Sequence, residues 1–130
     1  MEIKIQLRGE NIQLTKDIHL KDIECKCGQC PYVLFSQTHL NSVQFVMDKI
    51  NREFIITSGY RCNNWNFKIG GEVNSQHTYG LATDLQLTND HILKYKNEFD
   101  LLFKGMGEYD SFIHVDSRLG QKSRWVKKSS

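Results

Sequence analysis

Hydrophobic and polar residues follow two kinds of period in the first half of the chain. Residues 3–7 alternate between apolar and polar, which predicts a short strand. Residues 40–54 carry apolar side chains at helical spacing, and Thr38 or Asn41 can serve as the N-cap, so we expect an amphipathic helix there. Residues 54–57 are rich in β-branched side chains, which predicts a short buried strand directly after that helix.

The second half of the chain repeats this pattern of strand and helix. Residues 81–87 alternate between two faces, and residues 112–116 also read as a strand. Between them, residues 92–103 carry a helical apolar stripe, which Thr88 or Asn89 can cap. The residues that join this helix to the following strand include two glycines and are read as a connection.

Three further segments show weaker patterns. Residues 11–33 have no clear period, and residues 58–79 form a long polar segment, which in a compact domain is usually functional or disordered. Trp125 and Val126 are compatible with a last edge strand. Strands and helices mixed along the chain with short connections predict an α+β fold, although this pattern does not specify which strands pair.

Composition narrows the class of protein. A chain of 130 residues with 39% apolar and 25% charged residues fits one globular domain over residues 1–130. The 17 Lys and Arg against 15 Asp and Glu give a net charge of +2, which is too balanced for a dedicated nucleic-acid binder. We find no apolar run long enough to span a membrane and no secretory signal. We therefore expect a monomer without nucleic-acid partners or membrane insertion, made in the cytoplasm.

The densest chemical pattern lies in two of the predicted strands. His77 stands at the end of the long loop, and Asp84 follows seven residues later, on the strand face opposite to the leucines. His114 and Asp116 are two residues apart in a strand, so they share a face. If the two strands pair, two histidines and two aspartates meet.

Such a set suits zinc. Imidazole nitrogens and carboxylate oxygens are normal zinc ligands, and catalytic sites keep three protein ligands with one open position. We assign His77, Asp84 and His114 as the ligands and leave Asp116 to act as the base. The alternative interpretation is that these are ordinary surface or core histidines, with aspartates that cap or pair.

Arg61 is a further candidate. It follows a predicted buried strand and lies two residues after Gly59, which permits a tight turn. Its planar guanidinium can bind a carbonyl or a carboxylate of a substrate. A structural salt bridge explains Arg61 equally well from its position alone.

Several segments in order resemble one enzyme family. They are SGYRCNNWNFKIGGEVNSQHTYGLATD at residues 58–84, FIHVDSR at residues 112–118 and the closing Arg124-Trp125. They are similar to the zinc-dependent D-alanyl-D-alanine carboxypeptidases and L-alanyl-D-glutamate endopeptidases, especially the short phage and bacterial forms. The resemblance spans about residues 24–125. It implies a small antiparallel sheet flanked by helices, a fold shared with the hedgehog signalling domain.

The resemblance also implies roles for individual residues. His77, Asp84 and His114 would bind Zn²⁺, and Arg61 would steady the substrate carbonyl and the developing oxyanion. Several relatives carry an acidic residue three positions before the last histidine, but this chain has Ser111 there. Asp116 is therefore the first choice for the base, and the nearby acids Glu108 and Asp110 remain candidates.

The function that the resemblance implies is hydrolysis of the stem peptide of bacterial peptidoglycan. The expected context is a phage or prophage endolysin that another protein helps across the membrane to the cell wall. The alternatives are a zinc-containing wall-binding module without catalysis and a virion structural protein. Neither the motifs nor the composition selects between cleavage at D-Ala-D-Ala and at L-Ala-D-Glu.

The remaining cysteines and histidines are less informative. Cys25, Cys27 and Cys30 form a CxCxxC cluster, and Cys62 follows Arg61. Free thiols, disulfides and a structural zinc site all remain open for them. No motif surrounds the other histidines, for which we expect surface positions: His19, His39 and His91.

Overall fold

The computed structural model describes residues 2–51 and 54–127. Within them the strands are β1 Lys4–Leu7, β2 Tyr32–Phe35, β3 Ile56–Ser58, β4 Ala82–Leu85, β5 Gly105–Tyr109, β6 Ile113–Asp116 and β7 Ser123–Lys127. The α-helices are α1 Gln37–Ile50, α2 Asn63–Lys68, α3 Asn89–Lys94 and α4 Lys96–Leu102, and 3₁₀ turns cover Leu20–Asp22 and Gln76–Tyr79. The α+β class predicted from the sequence is therefore confirmed.

The described strands form a small sheet and a larger one. β1 and β2 pair antiparallel, while the larger sheet has the order β3-β4-β6-β5-β7. Neighbours in the larger sheet are antiparallel except β5 and β7, which are parallel. The predicted small antiparallel sheet thus describes β1–β2, whereas the main sheet is mixed. The likeness to the hedgehog domain stays a prediction.

Helix α1 packs on the core as its apolar stripe predicts. Leu40, Val43, Val46 and Met47 are buried on its inner face, and the core continues into the apolar residues of α4 and the main sheet. The N-cap is Ser36, whose hydroxyl accepts the backbone N–H of His39, and not the predicted Thr38 or Asn41. Strand β2 ends at Phe35, directly before this N-cap, so α1 begins earlier than the sequence predicts. No helix among the described residues has the length and apolar character to cross a membrane.

The long polar segment is not a plain loop. It contains the short helix α2 and the 3₁₀ turn Gln76–Tyr79, both built from largely polar residues whose pattern gives no helical signal. The predicted helix over residues 92–103 is divided at Tyr95 into α3 and α4, with the predicted Thr88 as N-cap of α3.

The sequence predicts a connection where the structure has strand β5, because residues 105 and 107 are glycines. Glycine is uncommon inside strands, since it has no side chain to pack and it is conformationally free. Here a Cβ on Gly105 would collide with the carboxylate of Asp116, and one on Gly107 would collide with the indole of Trp125. The glycines therefore make room for side chains that cross over β5 from its two neighbouring strands.

His39 is buried, which corrects its expected surface position. It is 1% exposed, and its ring nitrogens lie 2.7 Å from Ser117 Oγ and 3.0 Å from Thr83 Oγ1. The ring thereby links α1 to β4 and to the end of β6. Burial lowers the pKa of His39 from 6.5 to about 3, so the folded protein holds it neutral at moderately acid pH.

This burial predicts a pH-dependent stability. Between pH 6.5 and 3 the unfolded chain binds a proton at His39 that the folded chain does not. The free energy of unfolding should therefore fall by about 1.4 kcal/mol for each pH unit lost in that window. His39→Gln should reduce the slope by about that amount in urea titrations between pH 6.5 and 5. Equal slopes for wild type and His39→Gln would contradict the assignment.

Candidate active site

A cleft of about 680 Å³ lies against the main sheet. Loop residues 70–77 line it together with Arg61, and Asp84 and His114 lie in its floor. The lining also includes aromatic and basic side chains from β5 and β7 and from residues near β6, together with two further residues of β7: Tyr109, Phe112, Arg118, Trp125, Lys127, Ser123 and Val126.

The floor of the cleft is set by the register of β4 and β6. These strands pair antiparallel, which places Asp84 opposite His114 and Ala82 opposite Asp116. The pairing on which the sequence prediction depended is therefore present. His77 reaches the same point from the 3₁₀ turn, where Ser75 caps the turn by accepting the backbone N–H of His77.

His77, Asp84 and His114 form one compact cluster. Each offers a ligand atom that lies within 4.8 Å of the atoms offered by the other two. Asp84 Oδ1 lies 3.1 Å from His77 Nε2 and 3.1 Å from His114 Nδ1. All three residues are nearly buried, at 2%, 4% and 8% exposed.

Each histidine is oriented through its other ring nitrogen. His77 Nδ1 lies 2.7 Å from the carbonyl oxygen of Gly59, which can only accept, so this nitrogen donates. His114 Nε2 lies 2.7 Å from the Asp116 carboxylate and donates to it. In the neutral rings, the lone pairs of His77 Nε2 and His114 Nδ1 then both face Asp84 Oδ1. A cation, either a proton or a metal ion, is required where these three atoms converge.

The charge balance of the cluster fits that requirement. Burial acts to raise the pKa of Asp84, but the hydrogen bonds with His114 and His77 outweigh it and hold this pKa well below its usual range. Burial acts to lower the pKa of His114, whereas its bonds to Asp116 and Asp84 raise it above its usual value. The cluster thus keeps an ionised carboxylate that attracts positive charge.

Asp116 lies behind His114 and does not line the cleft. Its side chain is fully buried, and it receives Arg118 Nε at 2.9 Å and Arg118 Nη2 at 2.8 Å in a bidentate pair. Burial acts to raise the pKa of Asp116, but the bonds from Arg118 and His114 hold it well below its usual range. These contacts are typical of a carboxylate that orients a metal-binding histidine. The structure does not test the predicted role of Asp116 as base, and its contacts favour a positioning role.

Arg61 lies at the cleft as predicted. Its Nη2 is 3.5 Å from Asp84 Oδ2, and its Nη1 donates to Asn66 Oδ1 at 3.2 Å. Asn66 lies in the segment that resembles the family, but the resemblance gives it no role. It is 6% exposed, and its Nδ2 donates to the carbonyl oxygen of Glu72. A Cβ on Gly71 would collide with the Asn66 side chain, which explains why a glycine stands there.

The other acidic candidates lie elsewhere. Glu108 is on β5 and Asp110 is in the turn after it, and neither lines the cleft. Among the described residues, the carboxylates that do line it are Asp84 and Glu72. Glu72 is exposed and lies 3.7 Å from Lys127 Nζ. No sequence signal marked it as a cleft residue.

The sequence pattern also does not reveal an aromatic wall of the cleft, which Tyr109, Phe112 and Trp125 form. Tyr109 and Phe112 stack with ring centroids 4.4 Å apart, and Trp125 Nε1 donates to Tyr109 Oη at 3.0 Å. The guanidinium carbon of Arg118 lies over the Trp125 ring, 5.3 Å from its centroid, which is within the range of a cation–π contact. The family resemblance included Phe112, Arg118 and Trp125, but it gave them no role.

A comparison with protein families matches residues 15–116 to the family described as Peptidase M15. A comparison with curated proteins finds no match. The matched range covers most of the chain and contains every residue of the cluster at the cleft floor. The chain therefore belongs to the peptidase M15 family.

Proposed function

We propose that this protein is a zinc-dependent peptidase that hydrolyses the stem peptide of bacterial peptidoglycan. The observation that carries the proposal is the convergence of two imidazole lone pairs and one carboxylate oxygen at the floor of an open cleft. The proposed context is a phage or prophage endolysin that another protein delivers to the wall.

The residues at the cleft floor fit zinc. Nitrogen and oxygen ligands at ~2.1 Å in a tetrahedral arrangement lie ~3.4 Å from one another, close to the two 3.1 Å separations seen here. His77 Nε2, His114 Nδ1 and an oxygen of Asp84 would hold the ion, and the cleft leaves a side open for water and substrate. When bound, zinc supplies a Lewis acid that activates water and polarises a peptide carbonyl.

Arg61 is placed to act on the substrate. Its guanidinium lies at the cleft lining, and Ser58, Asn66 and Asp84 hold it in position. A donor fixed in advance stabilises the oxygen on which negative charge develops in the transition state, and it needs no rearrangement during the reaction. This role and the ion pair with Asp84 are compatible, since Nη1 and Nη2 each carry a second N–H group besides the one that contacts Asn66 or Asp84.

The rest of the lining supports an anionic peptide substrate. Arg118 and Lys127 are cations in the cleft, and peptides that end in D-alanine or contain D-glutamate carry carboxylates near the bonds in question. The aromatic wall offers a flat apolar surface for the peptide backbone and its methyl groups. Both bond types carry such carboxylates, so this surface does not select between them.

The role of Asp116 gives a sharp prediction. If Asp116 orients His114, Asp116→Asn should weaken zinc binding by ~10–100-fold, and excess zinc should restore most of the turnover. If Asp116 is the base, the variant should bind zinc normally and lose turnover by ~10²–10⁴-fold. Zinc titration and turnover at saturating zinc separate the two. We expect the first result, because both carboxylate oxygens already have partners.

The remaining acids serve as comparisons for Asp116. Glu72→Gln, Glu108→Gln and Asp110→Asn should each bind zinc as wild type does. A large loss of turnover in one of them would identify the base. Thermal unfolding of each variant separates a loss of activity from a loss of folded protein.

The function itself is tested on purified peptidoglycan. Zinc-loaded protein should release fragments whose masses identify the bond: free D-alanine for carboxypeptidase action, and a stem cut after L-alanine for endopeptidase action. The same protein with His77→Ala is the control. If the protein releases no fragments but co-sediments with the wall, it is instead a zinc-containing binding module. That alternative is favoured by one observation, the engagement of the predicted base Asp116 with Arg118 and His114.

A further inference from the structure

The four cysteines lie together, away from the cleft. Cys25, Cys27 and Cys30 belong to the segment before β2, and Cys62 is the N-cap residue of α2. Their sulfur atoms all lie within 4.8 Å of one another. Cys62 Sγ is 3.7 Å from Cys25 Sγ and 3.9 Å from Cys27 Sγ.

We propose that these four cysteines bind a second zinc ion, as a structural site. Zinc–sulfur bonds of ~2.3 Å in a tetrahedron place the sulfurs ~3.8 Å apart, which matches both of these separations. A disulfide would draw one pair together and separate it from the others. The sulfurs instead surround a common point, and closed four-cysteine sites are the usual structural form of bound zinc.

Donors around the cluster are suited to thiolates. The backbone N–H groups of Gln29 and Cys30 point at Cys27 Sγ at 3.4 and 3.3 Å, and that of Cys62 points at Cys25 Sγ at 3.3 Å. Four thiolates around one Zn²⁺ leave a net negative charge, which hydrogen-bond donors and a nearby cation stabilise.

Arg8 supplies that cation. Its Nη2 lies 3.2 Å from Cys30 Sγ, and the same guanidinium donates to the carbonyl oxygens of Cys25 and Cys30 at 2.7 and 2.6 Å. The side chain is largely withdrawn from solvent, and Glu24 pairs with its outer nitrogen at 3.6 Å. Arg8 thus fixes the loop that presents three of the sulfurs and offsets their charge.

The proposed site joins the N-terminal segment to the loop that carries Arg61. Cys62 is the next residue after Arg61, and Tyr60 N–H donates to the carbonyl of Ile23 at 2.9 Å. Gly59, which holds His77 through its carbonyl, packs against Ile23 without room for a side chain. A metal ion that fixes Cys62 to the N-terminal cysteines would therefore also restrain Arg61. This consequence rests on the proposed function, whereas the metal site does not.

Metal content tests the site directly. Protein purified under reducing conditions with added Zn²⁺ should contain two zinc ions per chain by elemental analysis. Cys27→Ser should retain one ion, and so should His77→Ala, because each variant removes a different site. The matched control is Gln29→Ser in the same loop, which should retain both. Co²⁺ added to the His77→Ala protein should give an intense thiolate-to-cobalt charge-transfer absorption, which the Cys27→Ser protein should lack.

Thiol protection supplies a measurement that needs no variant. Zinc-loaded wild type should resist alkylation at all four cysteines, and a chelator should expose them. The proposal is overturned if wild type and Cys27→Ser hold the same amount of zinc, or if zinc leaves alkylation unchanged. The proposal is also overturned if protein purified with reductant has the lower mass of a disulfide-bonded chain, from which thiol hydrogens have been lost. Failure of the proposed function is a separate outcome, since an inactive protein can still bind both ions.

Discussion

Replacing His77 by Ala should abolish zinc binding at the cleft and lower turnover by at least ~10³-fold. The variant removes one of three ligand atoms that lie within 4.8 Å of one another, together with the hydrogen bond that His77 Nδ1 donates to the Gly59 carbonyl. Loss of the metal removes several kcal/mol of transition-state stabilisation, and each 1.36 kcal/mol corresponds to about tenfold in rate. Turnover of a stem-peptide substrate and zinc content per chain measure the two effects together.

The matched control is His91→Ala, since His91 is half-buried on α3 and lies outside the cleft lining. It should keep wild-type zinc content and turnover. Full activity of the His77→Ala protein, with zinc still bound at the cleft, would exclude His77 as a ligand. A loss of activity with zinc retained would instead make His77 a group that acts on the substrate.

Replacing Arg61 by Lys should lower turnover by ~10²-fold or more while zinc content stays unchanged. Lysine keeps the charge but loses the planar fork that reaches Ser58, Asn66 and Asp84 from separate nitrogens. A loss of ~10²–10³-fold is the scale expected when one preorganised oxyanion donor is removed. Steady-state kinetics on a soluble peptide should place the effect in kcat rather than in KM.

Arg124→Lys is the control for this prediction. Arg124 lies on β7 outside the cleft lining, and it binds the carbonyls of Phe103 and Lys104 and the carboxylate of Asp100. The Arg124→Lys substitution should lower stability more than it lowers turnover. Unchanged kinetics for Arg61→Lys would show that Arg61 only maintains an ion pair with Asp84.

The shared faces of the site strands could be predicted because side chains in a strand alternate with a period of two, whereas the pairing of the strands could not. Asp84 has the parity opposite to Leu81, Leu85 and Leu87, and His114 and Asp116 share a face of β6. Alternation within each strand thus determines which side chains meet once the strands pair. The zinc hypothesis required that pairing, which the structure contains, together with His77 from the turn before β4.

Other features depend on contacts that no local pattern reveals. Strand β5 has glycines where a strand usually has large side chains, and their reason is a collision with Asp116 and Trp125 from neighbouring strands. His39 stands on a helix with no motif around it, and its burial depends on Ser117 and Thr83, far away in sequence. Such positions are set by tertiary packing, which overrides local propensity.

The place of β7 in the sheet affects how a polymer can reach the cleft. β7 is the last strand in the order, so one wall of the cleft is the border of the sheet. The solvent-exposed pair of Glu72 and Lys127 bridges from this border to the loop of residues 70–76, and such pairs are weak and weakened further by salt. Under the proposed function, the substrate is a stem peptide anchored in a cross-linked wall, which cannot thread end-first into a closed site. With one wall of the cleft at the border of the sheet, such a peptide can enter sideways once the weak Glu72–Lys127 pair separates.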